Sequence, residues 1–120
     1  KNSVARYMDS IERLWEVIGH LNVGLCLDTC HTWAGGIPTI DAVKGFKKLV
    51  KKIDLIHFND SKDGFESSRD RHENLGKGKI PKEELEYVIK NAKTDIIVET
   101  PNGPDAQKKD IAWIKRRLKK

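Results

Sequence analysis

Two patterns in the 120-residue sequence predict an α/β fold built on a parallel sheet. Helical and strand-like apolar segments alternate along the chain, one helix and then strand and helix three times over. The strand segments are also apolar throughout rather than at every second position, as in sheets covered by helices. A third observation points to the working end of that sheet. Each strand segment ends near a metal-capable side chain: Asp28 in GLCLDTCHTW, His57 in DLIHFNDSK and Glu99 in DIIVETP. In doubly wound and barrel folds alike, the carboxyl ends of the strands meet on one rim where ligands bind. Asp28, His57 and Glu99 are therefore expected to meet in space despite their separation in sequence.

The elements follow in order. NSVARYMDSIERLWEVI carries Val4, Tyr7, Met8, Ile11, Leu14, Trp15 and Ile18 at helical spacing, with Asn2 or Ser3 as N-cap. VGLCL reads as the first strand, and a Gly/Pro loop leads to Thr39, expected to cap a helix that buries Val43, Phe46, Leu49, Val50 and Ile53. LIHF is the second strand. The polar stretch from Asn59 to Ile80 exceeds the ~12 to 15 residues usual for a loop in a compact domain, and such loops are usually functional or disordered. Pro81 opens a helix to Asn91, DIIVE is the third strand, and Pro104-Asp105 introduces a last helix with Ile111, Ile114 and Leu118 on one face.

Composition bounds the function. With 38% hydrophobic and 34% charged residues the chain reads as a single domain, residues 1–120, with a modest core. No signal segment is visible, and no apolar run approaches the ~18 residues that a membrane span needs. Cys26 and Cys30 match neither a redox pair nor a zinc ribbon and read as reduced packing thiols, which places the protein inside the cell, in the cytoplasm. A net charge of +5 and a pI of 9.2 favour polyanionic partners such as nucleic acid. The chain starts at Lys1 rather than Met, as expected of a fragment or a processed chain.

Residue type narrows the chemistry at the rim. Mixed carboxylates and imidazoles suit zinc or manganese, whereas magnesium and calcium prefer oxygen alone. The long loop adds Asp70 and His72, two residues apart, which a local turn can aim at one ion together with His31. Six candidate ligands exceed the four of a structural zinc site, so more than one metal is the economical reading. Clustered ions clamp an oxyanion and acidify a coordinated water towards pH ~7, the requirement for cutting a phosphodiester. A cap or surface role is the simpler account of His20, next to a helix end. His31, His57 and His72 each have a carboxylate within three residues.

GLCLDTCH and HFNDSKDGFESSRDRHENLGKG resemble two signature stretches of the endonuclease IV family of apurinic/apyrimidinic endonucleases, and VETP is similar to that family's last strand. The resemblance runs from the first helix to the last. It implies the C-terminal part of a (β/α)8 barrel that uses three zinc ions to incise double-stranded DNA 5′ to an abasic site. By that resemblance His31, Asp70 and His72 hold one zinc, and Asp28, His57 and Glu99 hold a second with help from a bridging glutamate. That glutamate and the histidines of the remaining site would come from an N-terminal half of the barrel, an implied partner of this chain. Asp28, His57 and Glu99 are then the catalytic set. Glu66 stands where the family pattern usually has Gly or Asn before Ser67, and a carboxylate in a DNA-facing loop is expected to repel phosphate.

Lys62, Arg69 and Arg71 flank the metal loop, and the backbone amides of Gly76 and Gly78 are bare enough to approach a phosphate. The KKLVKK and KRRLKK runs fall on outer helices and read as solvated faces. Trp15 and Trp113 fit helix packing, whereas Trp33 either lines the site or covers it. Two other readings stand beside the nuclease: a sugar isomerase or epimerase of the related xylose isomerase-like barrels, and a non-catalytic half-barrel.

Overall fold

The computed structural model describes residues 7–119. Five helices and five strands are described: α1 (Tyr7–Ile18), β1 (Cys26–Asp28), α2 (Thr29–Ala34), α3 (Thr39–Leu49), β2 (Leu55–Phe58), β3 (Asp60–Ser61), β4 (His72–Glu73), α4 (Lys82–Asn91), β5 (Ile96–Val98) and α5 (Gly103–Leu118). The expected N-cap, Asn2 or Ser3, and Val4 lie outside the described residues.

The three apolar segments form one parallel sheet in the order β1-β2-β5, with Asp28 opposite His57 and His57 opposite Ile97. Since successive strand residues face opposite sides, this register puts Leu27, Ile56 and Phe58 on one face, all fully buried. Against that face lie α3, α4 and α5, whose Val43, Phe46, Leu85, Val88, Trp113 and Ile114 complete the core. The other face is open. Cys26 and Ile97 are exposed there, and Asp28 and His57 are half-buried. Strands without alternation in sequence thus sit in a sheet covered on one side only among the described residues. Among the described residues the outer edges of β1 and β5 are also unpaired. Along β5 an apolar groove of about 530 Å³ opens between Ile96, Ile97 and Val98 and the Ile111, Ile114 and Leu118 side of α5.

Several local expectations are corrected. TCHTWA is a helix, not loop: Asp28 caps α2 by accepting a hydrogen bond from the His31 amide at 2.9 Å. Thr39 does not cap α3, because it is the helix's first residue and Pro38 occupies the cap position. Its amide donates instead to Glu84 Oε1 of α4 at 3.1 Å, a carboxylate favoured at a helix N-terminus. Cys26 is exposed on the open face, so only the buried Cys30 is a packing thiol, and both are free. No residue of α1 is buried; it lays Met8, Ile11 and Trp15 against the core from outside.

The polar stretch after β2 is ordered around a short antiparallel hairpin, in which Asp60 pairs with Glu73 and Ser61 with His72. The loop that follows β4 is held from inside. The fully buried Asp60 accepts hydrogen bonds from the amides of Ser61, Gly76, Gly78 and Ile80 at 2.8 to 3.1 Å. A side chain on Gly78 would put its Cβ 2.3 Å from the Ser61 carbonyl oxygen, so only glycine fits.

Candidate metal centre

The parallel register carries Asp28 and His57 side by side, and Glu99 follows Val98 at the end of β5. A buried polar lock fixes the ends of β1 and β2 against each other. Thr29 Oγ1 donates to the Asn59 carbonyl oxygen at 2.6 Å, and the Cys30 amide donates to Asn59 Oδ1 at 2.7 Å. Asp28 thereby sits at once at a strand end, at a helix N-terminus and on the rim.

The six expected ligands form a continuous alternation of carboxylate and imidazole. Glu99 Oε1 is 2.8 Å from His57 Nδ1, which is 3.9 Å from Asp28 Oδ2. That same oxygen is 3.8 Å from His72 Nε2, which lies 3.5 Å from Asp70 Oδ1. Asp70 Oδ2 completes the series 3.5 Å from His31 Nδ1. Asp28, His57 and Glu99 offer ligand atoms within 4.8 Å of one another. Asp28 therefore stands between the two sets that the sequence separates, its Oδ2 facing an imidazole of each.

Electrostatics follow from this packing. Burial pushes the Asp28 carboxyl above its ordinary range despite the hydrogen bond from the His31 amide. Hydrogen bonds from His31 and then His72 hold the Asp70 carboxyl well below that range. Reciprocally, Asp70 raises both imidazoles, His72 to about 9. The tautomer of His72 is fixed by its Nδ1, which lies 2.6 Å from the Glu99 carbonyl oxygen. A carbonyl only accepts, so Nδ1 carries the proton and Nε2 faces the carboxylates. Carbonyl support of this kind is how ligating histidines are usually oriented.

Cys30, Asp70 and His72 form a second group of closely spaced ligand atoms. The Cys30 Sγ is fully buried, donates to the Arg71 carbonyl oxygen at 3.4 Å, and is pushed up to about 12 chiefly by burial. A neutral thiol is a poor ligand compared with a thiolate, so His31 is the better third member. The donor set of carboxylates and imidazoles fits zinc.

The surrounding residues depart from expectation in three ways. The Gly76 and Gly78 amides are bonded to Asp60 and are not free to approach a phosphate. Arg71 makes a bidentate ion pair with Asp63 at 2.7 and 2.8 Å, while Lys62 and Arg69 are exposed. Glu66 accepts a hydrogen bond from the Tyr7 hydroxyl, and its φ of 63° is the left-handed conformation in which Gly or Asn is at ease. Trp33 covers rather than lines: it is buried, donates to the Asp63 carbonyl oxygen at 3.1 Å and meets Phe65 edge-on at 5.0 Å, so it shapes the loop that presents Asp70. Trp113 is core, stacked beneath Arg117 at 3.5 Å.

Asn59, Asn74 and Asp110 went unrecognised in the sequence. All three are buried and hydrogen-bonded around the rim, and the signal, an asparagine just past each of the strand end LIHF and the dipeptide HE, is weak without the fold.

Comparison with known proteins bears on the fold. A family model described as a xylose isomerase-like TIM barrel matches residues 2–117. A probable endonuclease 4 of Mycobacterium bovis (strain BCG / Pasteur 1173P2) is 47% identical over 116 residues, covering 97% of this chain and 45% of that protein. One of Mycobacterium ulcerans (strain Agy99) is 44% identical over 118 residues, covering 98% and 46%. The crystal structure of endonuclease IV from Thermus thermophilus superposes with a TM-score of 0.77 at 27% identity, covering 96% of this chain and 44% of that one. The chain thus spans a little under half the length of the relatives it matches. Since the match runs from the first helix into the last and takes in every strand of the parallel sheet, the chain belongs to the xylose isomerase-like TIM barrel family, as a C-terminal part of a (β/α)8 barrel similar to that of endonuclease IV.

Proposed function

We propose that this chain supplies the larger share of the metal centre of a zinc-dependent endonuclease that cuts the phosphodiester 5′ to abasic sites in double-stranded DNA. The alternating series Glu99, His57, Asp28, His72, Asp70, His31 carries the reading. Three carboxylates and three imidazoles at one rim are more than a single structural ion uses. In this reading Asp28, His57 and Glu99 hold one zinc and His31, Asp70 and His72 another, with Asp28 between them. Bound zinc supplies Lewis-acid stabilisation of charge on the phosphate oxygens.

The chain's own residues supply the rest. His72 presents Nε2 because Nδ1 is held by the Glu99 carbonyl. In this reading Lys62 and Arg69, both exposed beside the metal loop, neutralise DNA phosphates. The free Cys26 and Cys30 fit a reducing intracellular compartment, and no helix among the described residues is long and apolar enough to cross a membrane.

A zinc assay and an incision assay test the reading together. The purified chain is expected to take up zinc, and His72→Ala to take up less; equal zinc content would sink the ligand assignment. On a duplex with a single abasic site, chelator-sensitive 5′ incision is expected when the chain is combined with the N-terminal half of a relative, and not from the chain alone. Metal-loaded mixtures that leave the duplex intact would refute the nuclease. A sugar isomerase of the same family would instead require one or two ions and turn over a sugar.

A further inference from the structure

The segments that carry His72 and Glu99 approach each other behind the rim as well as at it. Two residues beyond His72, Asn74 is buried with 4% of its surface exposed. Its Nδ2 donates to the Pro101 carbonyl oxygen at 3.0 Å and to Asp110 Oδ2 at 2.8 Å, and its Oδ1 accepts from Asn102 Nδ2 at 2.6 Å. Asp110, equally buried on α5, uses its other oxygen to accept from the Leu75 amide at 3.0 Å. Both amide protons of Asn74 and both oxygens of Asp110 are thus engaged. One side joins the chain just after His72, and the other joins the chain just after Glu99.

We propose that Asn74 and Asp110 are positioning residues for the metal centre: the amide–carboxylate pair fastens the segment carrying His72 to the segment carrying Glu99 and anchors both to α5. The proposal rests on the metal-centre reading above. Two observations support a positioning role over a general packing one. The bonds run to the two ligand-bearing segments, and they lie directly behind the bond from His72 Nδ1 to the Glu99 carbonyl. With the pair removed, that bond remains as the direct hydrogen bond between the two segments among the described residues. Hydrogen-bonded support one shell out from a metal typically changes affinity by about 10- to 100-fold when lost. Asp110→Asn is nearly isosteric but sets an NH2 group against one of two donors, the Asn74 amide or the Leu75 N–H.

The test is zinc affinity of the chain, read by competition with a chromophoric chelator, together with the visible spectrum of the Co²⁺-loaded protein and the Tm of the metal-free form. Asn74→Ala and Asp110→Asn are expected to weaken zinc binding about tenfold or more and to change the Co²⁺ band positions. Val88→Ala, in the core of α4, is expected to lower Tm while leaving affinity and spectrum as in the parent. His72→Ala and Glu99→Gln test the underlying reading. If neither alters zinc binding, or the parent binds none, the metal-centre reading fails. If they weaken it while Asn74→Ala and Asp110→Asn behave as the parent, only the positioning role is overturned. Equal losses in Val88→Ala overturn it as well, since the effect would then follow stability. Should Asn74→Ala fail to fold, Asn102→Gly removes one bond of the same network at an exposed residue whose φ of 74° suits glycine, and is expected to cost about fivefold; an unchanged affinity there overturns the proposal.

Discussion

If His72 is a zinc ligand, binding zinc at neutral pH must expel a proton. Asp70 raises the His72 imidazole to about 9, and Asp70 raises His31 as well. A group whose pKa is raised holds its proton at all pH values below the raised value, so the metal-free site at pH 7 carries His72 almost wholly protonated. Two pH units correspond to about 2.7 kcal/mol, or a hundredfold in apparent affinity. Water reaches 28% of the His72 side chain, and screening trims that figure to a few tens-fold. Apparent zinc affinity should therefore climb between pH 6.5 and 8.5 and approach its plateau near pH 9. Titration calorimetry at pH 7 in two buffers of different ionisation enthalpy should report release of at least about one proton per zinc. His72→Ala should release about one proton fewer. Affinity that is flat with pH, or a release that survives His72→Ala unchanged, would refute the coupling of His72 to Asp70.

Three further outcomes are expected. The metal-free chain should be most stable by urea midpoint at mildly acidic pH, above the ordinary carboxylate range and below about 6.5: the Asp70 contribution is present above that range and lost as pH falls below it, while that of His72 is present below about 6.5 and lost as pH rises through about 9. Gly78→Ala should destabilise the chain by at least about 2 kcal/mol, because its Cβ would stand 2.3 Å from the Ser61 carbonyl and 2.4 Å from Asp60 Oδ1; an unshifted urea midpoint would show that the loop after β4 yields freely. Glu66→Gly should change stability by less than about 1 kcal/mol, since relief at φ 63° offsets the lost bond from Tyr7, whereas Glu66→Val should be clearly destabilising in the same measurement.

Sequence periodicity by itself determined the four longer helices and the three parallel strands in their order, because hydrophobic spacing reports which segments must be covered; it missed the short α2 and the β3-β4 hairpin. Asp28, His57 and Glu99 were legible as candidate ligands, since each sits at or near the end of an apolar run. Local details escaped it where a partner distant in sequence decides. Thr39 looks like a cap until Glu84 of α4 is seen bonded to its amide, and Gly76 and Gly78 look like phosphate-binding amides until Asp60 is found holding them. Strand composition by itself left open whether one or both faces of the sheet are covered, because an apolar strand reads the same in either case. Only the tertiary structure put Asp28 between the two candidate ligand sets, with one oxygen facing His57 and His72 together. That position depends on strand register and on the loop that brings Asp70 and His72 over the rim, and distances across separate segments leave no period in the sequence.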